Sequence, residues 1–345
     1  MNAPLRLADY DFALPPEQIA QEPLAERDGA RLLVLERGNG AHQHRGIREL
    51  TQLLRPGDLL VVNATKVEPA RLRGRKLSGA AAEALLLRAE ARPGEWRALV
   101  RTRSLRVGTK LRFAHGELTL DAEIGGLHED GSATLCFAPD ADPHRLGEPP
   151  LPPYIRRPEP RAEDEQRYQT VFARAPGSVA APTAGLHLSR DLLAALAHEG
   201  VAYTELVLHV GAGTFRPLRE AELATGRLHP ERFELPEATA AAIAETRARS
   251  GRVVAVGTTT TRVLEACAAG DGRVHPRSGE TDLFLRPGHP FRVVDALLTN
   301  FHLPRSSLLL LVSAFAGREA VLRAYTEAVR EGYRFYSYGD AMLVV

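Results

Sequence analysis

Four runs of uninterrupted apolar residues stand out along the chain, at 32–35 (Leu-Leu-Val-Leu), 59–62 (Leu-Leu-Val-Val), 253–256 (Val-Val-Ala-Val) and 308–312 (Leu-Leu-Leu-Leu-Val). Such runs suit strands covered on both faces. Residues 201–208 alternate as a further strand. Helical patterns fall between and after these. Residues 189–199 open on a cap-competent Ser189 and stop before Gly200; 236–249 open on Pro236 and stop at Ser250-Gly251. Residues 259–269 precede Gly270, and 317–330 precede Gly332. Strands mixed with helices of this length predict a layered α/β domain.

Residues 72–150 read differently. Short strand-like pieces at 84–88, 96–101, 110–113, 118–124 and 133–137 are separated by glycines and charged turns, with no helical pattern among them. That spacing predicts a small antiparallel barrel or sandwich. It closes on Pro149-Pro-Leu-Pro-Pro-Tyr154, a stiff linker. With α/β patterning on both sides, the β module is an insertion. The expected fold is an α/β domain with a mixed sheet (residues 1–68 and 151–345) carrying a small β domain (69–150).

At 345 residues, 44% apolar and 25% charged, the composition fits about two globular domains and excludes disordered or fibrous classes. Two cysteines exclude a disulfide framework and a Cys-rich zinc site, and fit a reducing compartment. No signal-peptide pattern opens the chain, and no apolar stretch approaches the ~18 residues of a membrane span. The expectation is a cytoplasmic monomer without metal.

Net charge is +1, and only three of the 44 basic residues are lysine, so arginine abundance alone points to no partner. The distribution is more informative. Residues 66–112 carry 13 Lys/Arg against four Glu, and residues 113–165 carry 12 Asp/Glu against four Arg. Arg71, Arg73 and Arg75 would share one face of a strand. Such a row is either a phosphate-backbone contact or a solvated strand face.

Several loops could carry chemistry. In His209-Val-Gly-Ala-Gly-Thr-Phe215, Gly211 and Gly213 would let backbone N–H groups approach a ligand, or form a plain tight turn. A dinucleotide fingerprint is excluded, because Phe215-Arg216-Pro217 stands where a glycine should open a helix. Thr258, Thr259 and Arg262 sit where a strand passes into a helix, a place for a carboxylate or phosphate as well as an ordinary cap. Thr183, Gly185 and His187 combine small residues with one histidine, suited to a flat ligand or to close packing. Asn300 and His302 lie at the end of a strand, where open α/β sheets bind ligands. Tyr338 and Asp340 join an aromatic face to an acid. No GxSxG, HExxH or Cys-His arrangement is present, which argues against the common hydrolases.

Strings along nearly the whole chain carry a resemblance. They include Ile19-Ala-Gln-Glu-Pro-Leu24, Glu26-Arg27-Asp28, Arg55-Pro-Gly-Asp58, Pro69-Ala-Arg-Leu72, Leu151-Pro-Pro-Tyr-Ile155, Arg167-Tyr-Gln-Thr170 and Ala181-Pro-Thr-Ala-Gly-Leu-His187. Further along come the His209 string, Thr299-Asn-Phe-His-Leu-Pro304, Ser313-Ala-Phe-Ala-Gly317 and Tyr338-Gly-Asp-Ala-Met342. In this order they resemble the S-adenosylmethionine:tRNA ribosyltransferase-isomerases of queuosine biosynthesis. The chain departs from the family at Ala64, where Asp is expected in Asn-Asp-Thr, and at Leu228, where Met is expected before His229.

The resemblance implies an α/β domain with an inserted β-barrel. It also implies transfer and isomerisation of the ribosyl group of S-adenosylmethionine onto 7-aminomethyl-7-deazaguanine at the tRNA wobble position. The products are epoxyqueuosine-tRNA, adenine and methionine, so S-adenosylmethionine is a consumed co-substrate and no cofactor is expected. Candidate proton-transfer groups are His187, His209, His302, Asp282 and Asp340. Candidate substrate contacts are Thr183, Gly185, Gly211, Gly213, Thr258, Thr259, Arg262, Asn300 and Tyr338, with Arg71, Arg73 and Arg75 for tRNA. Two competitors remain: a non-catalytic RNA-binding protein, and a nucleotide-dependent transferase that needs no tRNA.

Overall fold

A computed structural model describes residues 5–157, 161–211, 213, 218 and 220–345. Strands β1 (Arg31–Leu35) and β2 (His42–Gly46) form a hairpin, followed by the short helix α1 (Leu50–Leu53), β3 (Leu59–Asn63) and β4 (Thr65–Val67). Next come six barrel strands: β5 (Arg71–Lys76), β6 (Ala81–Ala89), β7 (Glu95–Thr102), β8 (Lys110–His115), β9 (Leu118–Leu127) and β10 (Ala133–Cys136). The chain returns through α2 (Ala162–Arg167), β11 (Ala175–Ser178), α3 (Arg190–His198), β12 (Ala202–Leu208), α4 (Glu220–Thr225) and β13 (Arg227–Leu235). It ends with α5 (Glu237–Ala248), β14 (Val253–Val256), α6 (Thr258–Ala266), β15 (Arg277–Leu283), β16 (Ala296–Asn300), α7 (Ser307–Ala316), α8 (Arg318–Arg330) and β17 (Ala341–Val344).

Nine strands make one mixed sheet in the order β15-β13-β12-β3-β14-β16-β17-β1-β2. At its centre β12, β3, β14 and β16 are parallel, so their C-terminal ends share one edge. β17 runs antiparallel to β16 and parallel to β1, which brings the starts of β17 and β1 to that same edge. The apolar runs alternate between two cores. Leu33, Leu35, Leu59, Val61, Val253 and Ala255 face one side, and Leu32, Val34, Leu60, Val62, Val254 and Val256 face the other. Both faces are covered, which is why polar residues do not interrupt these strands.

The fourth run is different. Residues 308–312 lie inside helix α7, not in a strand. Ser306 caps that helix, its Oγ accepting from Leu309 N–H at 3.2 Å, and Gly317 ends it at φ +88°. A helix buried nearly all round shows no polar stripe, so its sequence reads like a central strand.

β5 to β10 close into an antiparallel barrel, with the chain leaving after β4 and returning to β11, which pairs with β4. The interior holds Leu72, Leu86, Leu111, Phe113, Ile124 and Leu135 among several alanines. Gly74 is required here, because a Cβ would lie 2.2 Å from Arg112 O. The Pro-rich junction is packed down, with Leu151 and Ile155 buried. Among the described residues no helix is long and apolar enough to cross a membrane.

Candidate active site

The C-terminal edge of the sheet begins at Asn63, the last residue of β3. Its Nδ2 donates to Leu208 O (3.0 Å) and Thr259 Oγ1 (3.2 Å), while its Oδ1 accepts from the N–H of Thr65 (3.1 Å) and of Leu208 (3.0 Å). One buried amide thereby ties β3, β12 and the start of α6 together, fixing the floor of the site. Ala64 beside it is fully buried; its N–H donates to Leu206 O, and its carbonyl accepts from Arg174 and Ala175.

A cavity of about 280 Å³ opens where the barrel meets this edge. The barrel contributes Leu87, Arg88 and Leu99; the sheet side contributes His209, Gly211, Gly213, Glu231 and Arg262. This approaches the ~300 Å³ at which small-molecule sites begin. A second chamber of about 240 Å³ shares Arg88, Gly177 and Arg232 with it and is lined by Trp96.

Within the cavity, Glu231 and Arg262 form a buried ion pair. Glu231 Oε1 also accepts from Gly211 N–H at 2.8 Å. Arg262 donates further to Leu283 O (3.1 Å) and Thr281 O (3.3 Å). Every group of this buried pair is satisfied, the condition under which such a pair is tolerated.

His209 projects from the end of β12, its Nδ1 3.0 Å from Thr65 Oγ1. Thr65 Oγ1 also lies 3.5 Å from Ala175 O; when it donates there, its oxygen accepts from Nδ1–H and Nε2 keeps the lone pair. Burial, reinforced by the Arg232 charge and opposed by Glu234, holds the imidazole below its ordinary value. His229, 3.4 Å from Glu222, lines the same cavity.

The structure distributes the other sequence candidates along and beyond this edge. His187 lies in the short helical turn Thr183–His187 with Thr183 and Gly185, and its Nε2 accepts from Asn300 Nδ2 at 3.1 Å. Burial, with Arg334 second, brings its pKa down to about 4. With Tyr338 it lines a recess at the start of β17, apart from the 280 Å³ cavity. Thr258 and Thr259 open α6 between the two places.

His302 is packed in the core, its Nε2 bonded to Thr299 Oγ1 (2.8 Å) and its backbone N–H donating to Tyr325 Oη (3.1 Å), and burial lowers its pKa to about 3. Asp340 holds the chain, accepting from the N–H of Arg31 (3.0 Å) and of Arg334 (2.8 Å). Asp282 is on the outermost strand, paired with Arg227 at 3.0 Å, and does not line the cavity. Arg71, Arg73 and Arg75 do share one face of β5. Arg73 is paired with Glu148 (2.8 Å), Arg71 donates to Leu151 O (2.7 Å), and Arg75 is exposed. Within the His209 string, positions 212 and 214–215 lie outside the described residues, as do Arg216 and Pro217.

Sequence reasoning missed Glu231, which no motif marks, and gave His229 no role. The only available signal was their place on the strand that follows the glycine loop. On the far side of the sheet, His42, His44 and Glu327 bring metal-ligand atoms within 4.8 Å of one another, with Arg330 already bound to Glu327 at 2.6 Å.

The family profile described as "Queuosine biosynthesis protein" matches residues 7–344. The chain is 54% identical over 345 residues to the S-adenosylmethionine:tRNA ribosyltransferase-isomerase of Anaeromyxobacter dehalogenans (strain 2CP-C), covering 99% of each. It is 50% identical to that of Moorella thermoacetica, covering 99% of this chain and 100% of the other. The crystal structure of the S-adenosylmethionine tRNA ribosyltransferase of Thermotoga maritima is similar at TM-score 0.55 and 40% identity, over 98% of this chain and 100% of that one.

Proposed function

The chain belongs to the queuosine biosynthesis protein family and is an S-adenosylmethionine:tRNA ribosyltransferase-isomerase; we propose that it runs this reaction in the cavity between barrel and sheet. The reaction moves the ribosyl group of S-adenosylmethionine onto 7-aminomethyl-7-deazaguanine in tRNA and rearranges it, releasing adenine and methionine. The carrying observation is His209, bonded through Nδ1 to Thr65 and held below its ordinary pKa by burial, in a cavity braced by the Glu231–Arg262 pair.

The chemistry asks for a base at the 5′ carbon, whose C–H the sulfonium acidifies, and for a proton donor to the departing adenine. His209 takes the first role, with Thr65 holding its tautomer. His229, beside Glu222, is the group in the same cavity available for the second. General acid–base assistance of this kind typically contributes ~10²–10⁴-fold. Gly211 and Gly213 bring the backbone to the cavity wall, and Arg262 holds Glu231 in place. Exposed Arg88 and Arg232, with Trp96 behind them, offer cations and a stacking face to the anticodon loop. Arg75 on the barrel is a peripheral tRNA contact. S-adenosylmethionine is consumed, no cofactor is required, and the protein acts as a cytoplasmic monomer.

Incubation with S-adenosylmethionine and tRNA bearing 7-aminomethyl-7-deazaguanine, followed by nucleoside mass analysis, tests the reaction. Adenine together with an epoxyqueuosine nucleoside is expected and shows that Ala64 is compatible with turnover. Adenine without modified tRNA would contradict the transfer.

A further inference from the structure

Three arginines reach the start of β17 from segments far apart in sequence. Arg27 comes from the turn before β1, Arg167 from the end of α2, and Arg334 from the turn after α8. Together with His187, Tyr338 and Glu26, whose carboxylate is paired with Arg48, they line a recess of about 30 Å³. Each guanidinium is held by backbone carbonyls: Arg27 by Gln166 O (2.7 Å), Arg167 by Ala25 O (3.1 Å) and Leu24 O, and Arg334 by Tyr338 O (2.7 Å) and Glu22 O (3.2 Å). Among the described residues none of the three has a carboxylate within ion-pair distance, although arginine–carboxylate pairs are common elsewhere in the fold. The charges also act on one another, because burial and the neighbouring Arg167 both hold Arg27 below its ordinary pKa. Tyr338, itself only 4% exposed, has a buried hydroxyl with no hydrogen-bond partner.

Like charges gathered at a partly desolvated place are costly unless an anion joins them. The recess admits one compact group, and guanidinium forks match the oxygens of a phosphate or carboxylate. We propose that Arg27, Arg167 and Arg334, beside Tyr338, form an oxyanion subsite that takes a backbone phosphate of the RNA substrate. A methionine carboxylate is the other anion the reaction supplies. However, the recess lies at β17 and His209 ends β12, four strand spacings away, or about 19 Å. The methionine arm from sulfonium to carboxylate carbon has four single bonds and spans about 5 Å. That arm is short against the separation of the two strands, whereas an anticodon stem-loop spans it, which favours the phosphate; the KM for S-adenosylmethionine decides between them. The phosphate assignment rests on the tRNA reaction proposed above; the oxyanion site does not.

The test is binding of an anticodon stem-loop RNA, followed by fluorescence anisotropy across a KCl series, for the wild type, Arg27→Gln, Arg27→Lys and Arg334→Gln. Each variant is checked for unchanged thermal unfolding. Either glutamine variant should weaken RNA binding several-fold and flatten the log–log salt dependence by up to about one unit, while Arg27→Lys keeps the slope. The KM for S-adenosylmethionine should not move. RNA affinity and slope unchanged in both glutamine variants would overturn the subsite. A raised KM for S-adenosylmethionine with unchanged RNA binding would overturn the phosphate assignment in favour of the carboxylate. RNA binding that responds as expected in a protein that releases no adenine would leave the subsite standing and remove the reaction instead.

Discussion

The barrel and the C-terminal edge of the sheet both gather arginines, and they treat the charge in opposite ways. In the barrel the basic and acidic halves of the segment lie on neighbouring strands. Arg112 on β8 opposes Asp121 on β9 and bonds both of its oxygens (2.6 and 2.8 Å), and Arg97 on β7 binds Glu90 at 2.7 Å. Such pairs offset part of the charge segregation that looks pronounced along the sequence. At the sheet edge, Arg27, Arg167 and Arg334 are satisfied by carbonyls, which leaves their charge for a ligand. A cation is available for binding according to what faces it in the fold, not according to its local density in the chain.

The largest effect should come from the buried Glu231–Arg262 pair at the sheet edge. Glu231→Gln leaves Arg262 with an uncompensated charge, which should cost about 3–5 kcal/mol in denaturant unfolding and abolish adenine release. A neutral result would mean that this edge treats charge as the barrel does.

Acid should separate the two regions next. His187 and His302 are held neutral by burial, at about 4 and about 3. Their folded pKa values lie below the unfolded value near 6.5, so the unfolded chain binds more protons between these limits. Stability should be intact above pH 6.5 and fall by roughly 1.4 kcal/mol per pH unit for each histidine as pH drops toward 4. Unfolding curves between pH 7.5 and 4.5 check the slope, and His302→Gln should reduce it. Hydrogen exchange should place the loss in the sheet, since the barrel's paired carboxylates are largely solvated.

Much of the fold was legible in the sequence. The barrel strands and the three apolar runs of the sheet obey period-two alternation or continuous burial, which are local signals. Residues 308–312 misled because a helix inside the core carries no polar face. The site was harder to read. His209, Gly211, Gly213 and Arg262 do meet in one cavity, but their counterpart Glu231 sits in an unremarkable strand. The arginines of the recess are brought together only by tertiary packing, and no spacing rule links positions 27, 167 and 334.

Smaller effects should sharpen the contrast. Arg73→Gln removes a partly exposed pair with Glu148 and should cost about 1 kcal/mol of stability, with RNA affinity unchanged in anisotropy titrations. Arg75→Glu, at an exposed position, should leave stability within ~0.5 kcal/mol and weaken RNA binding only a few-fold. A larger loss from Arg75→Glu than from Arg27→Gln would invert the comparison.

The central claim is that the cavity between barrel and sheet houses the chemistry, with His209 as the base. Single-turnover adenine release by wild type and His209→Gln, with both substrates saturating, tests it most directly. The expected result is a fall of ~10²-fold or more with thermal unfolding unchanged, and an acid limb of the wild-type pH–rate profile that lies below the ordinary histidine range, because burial holds the imidazole pKa down. An unchanged rate in His209→Gln would move the reaction out of this cavity.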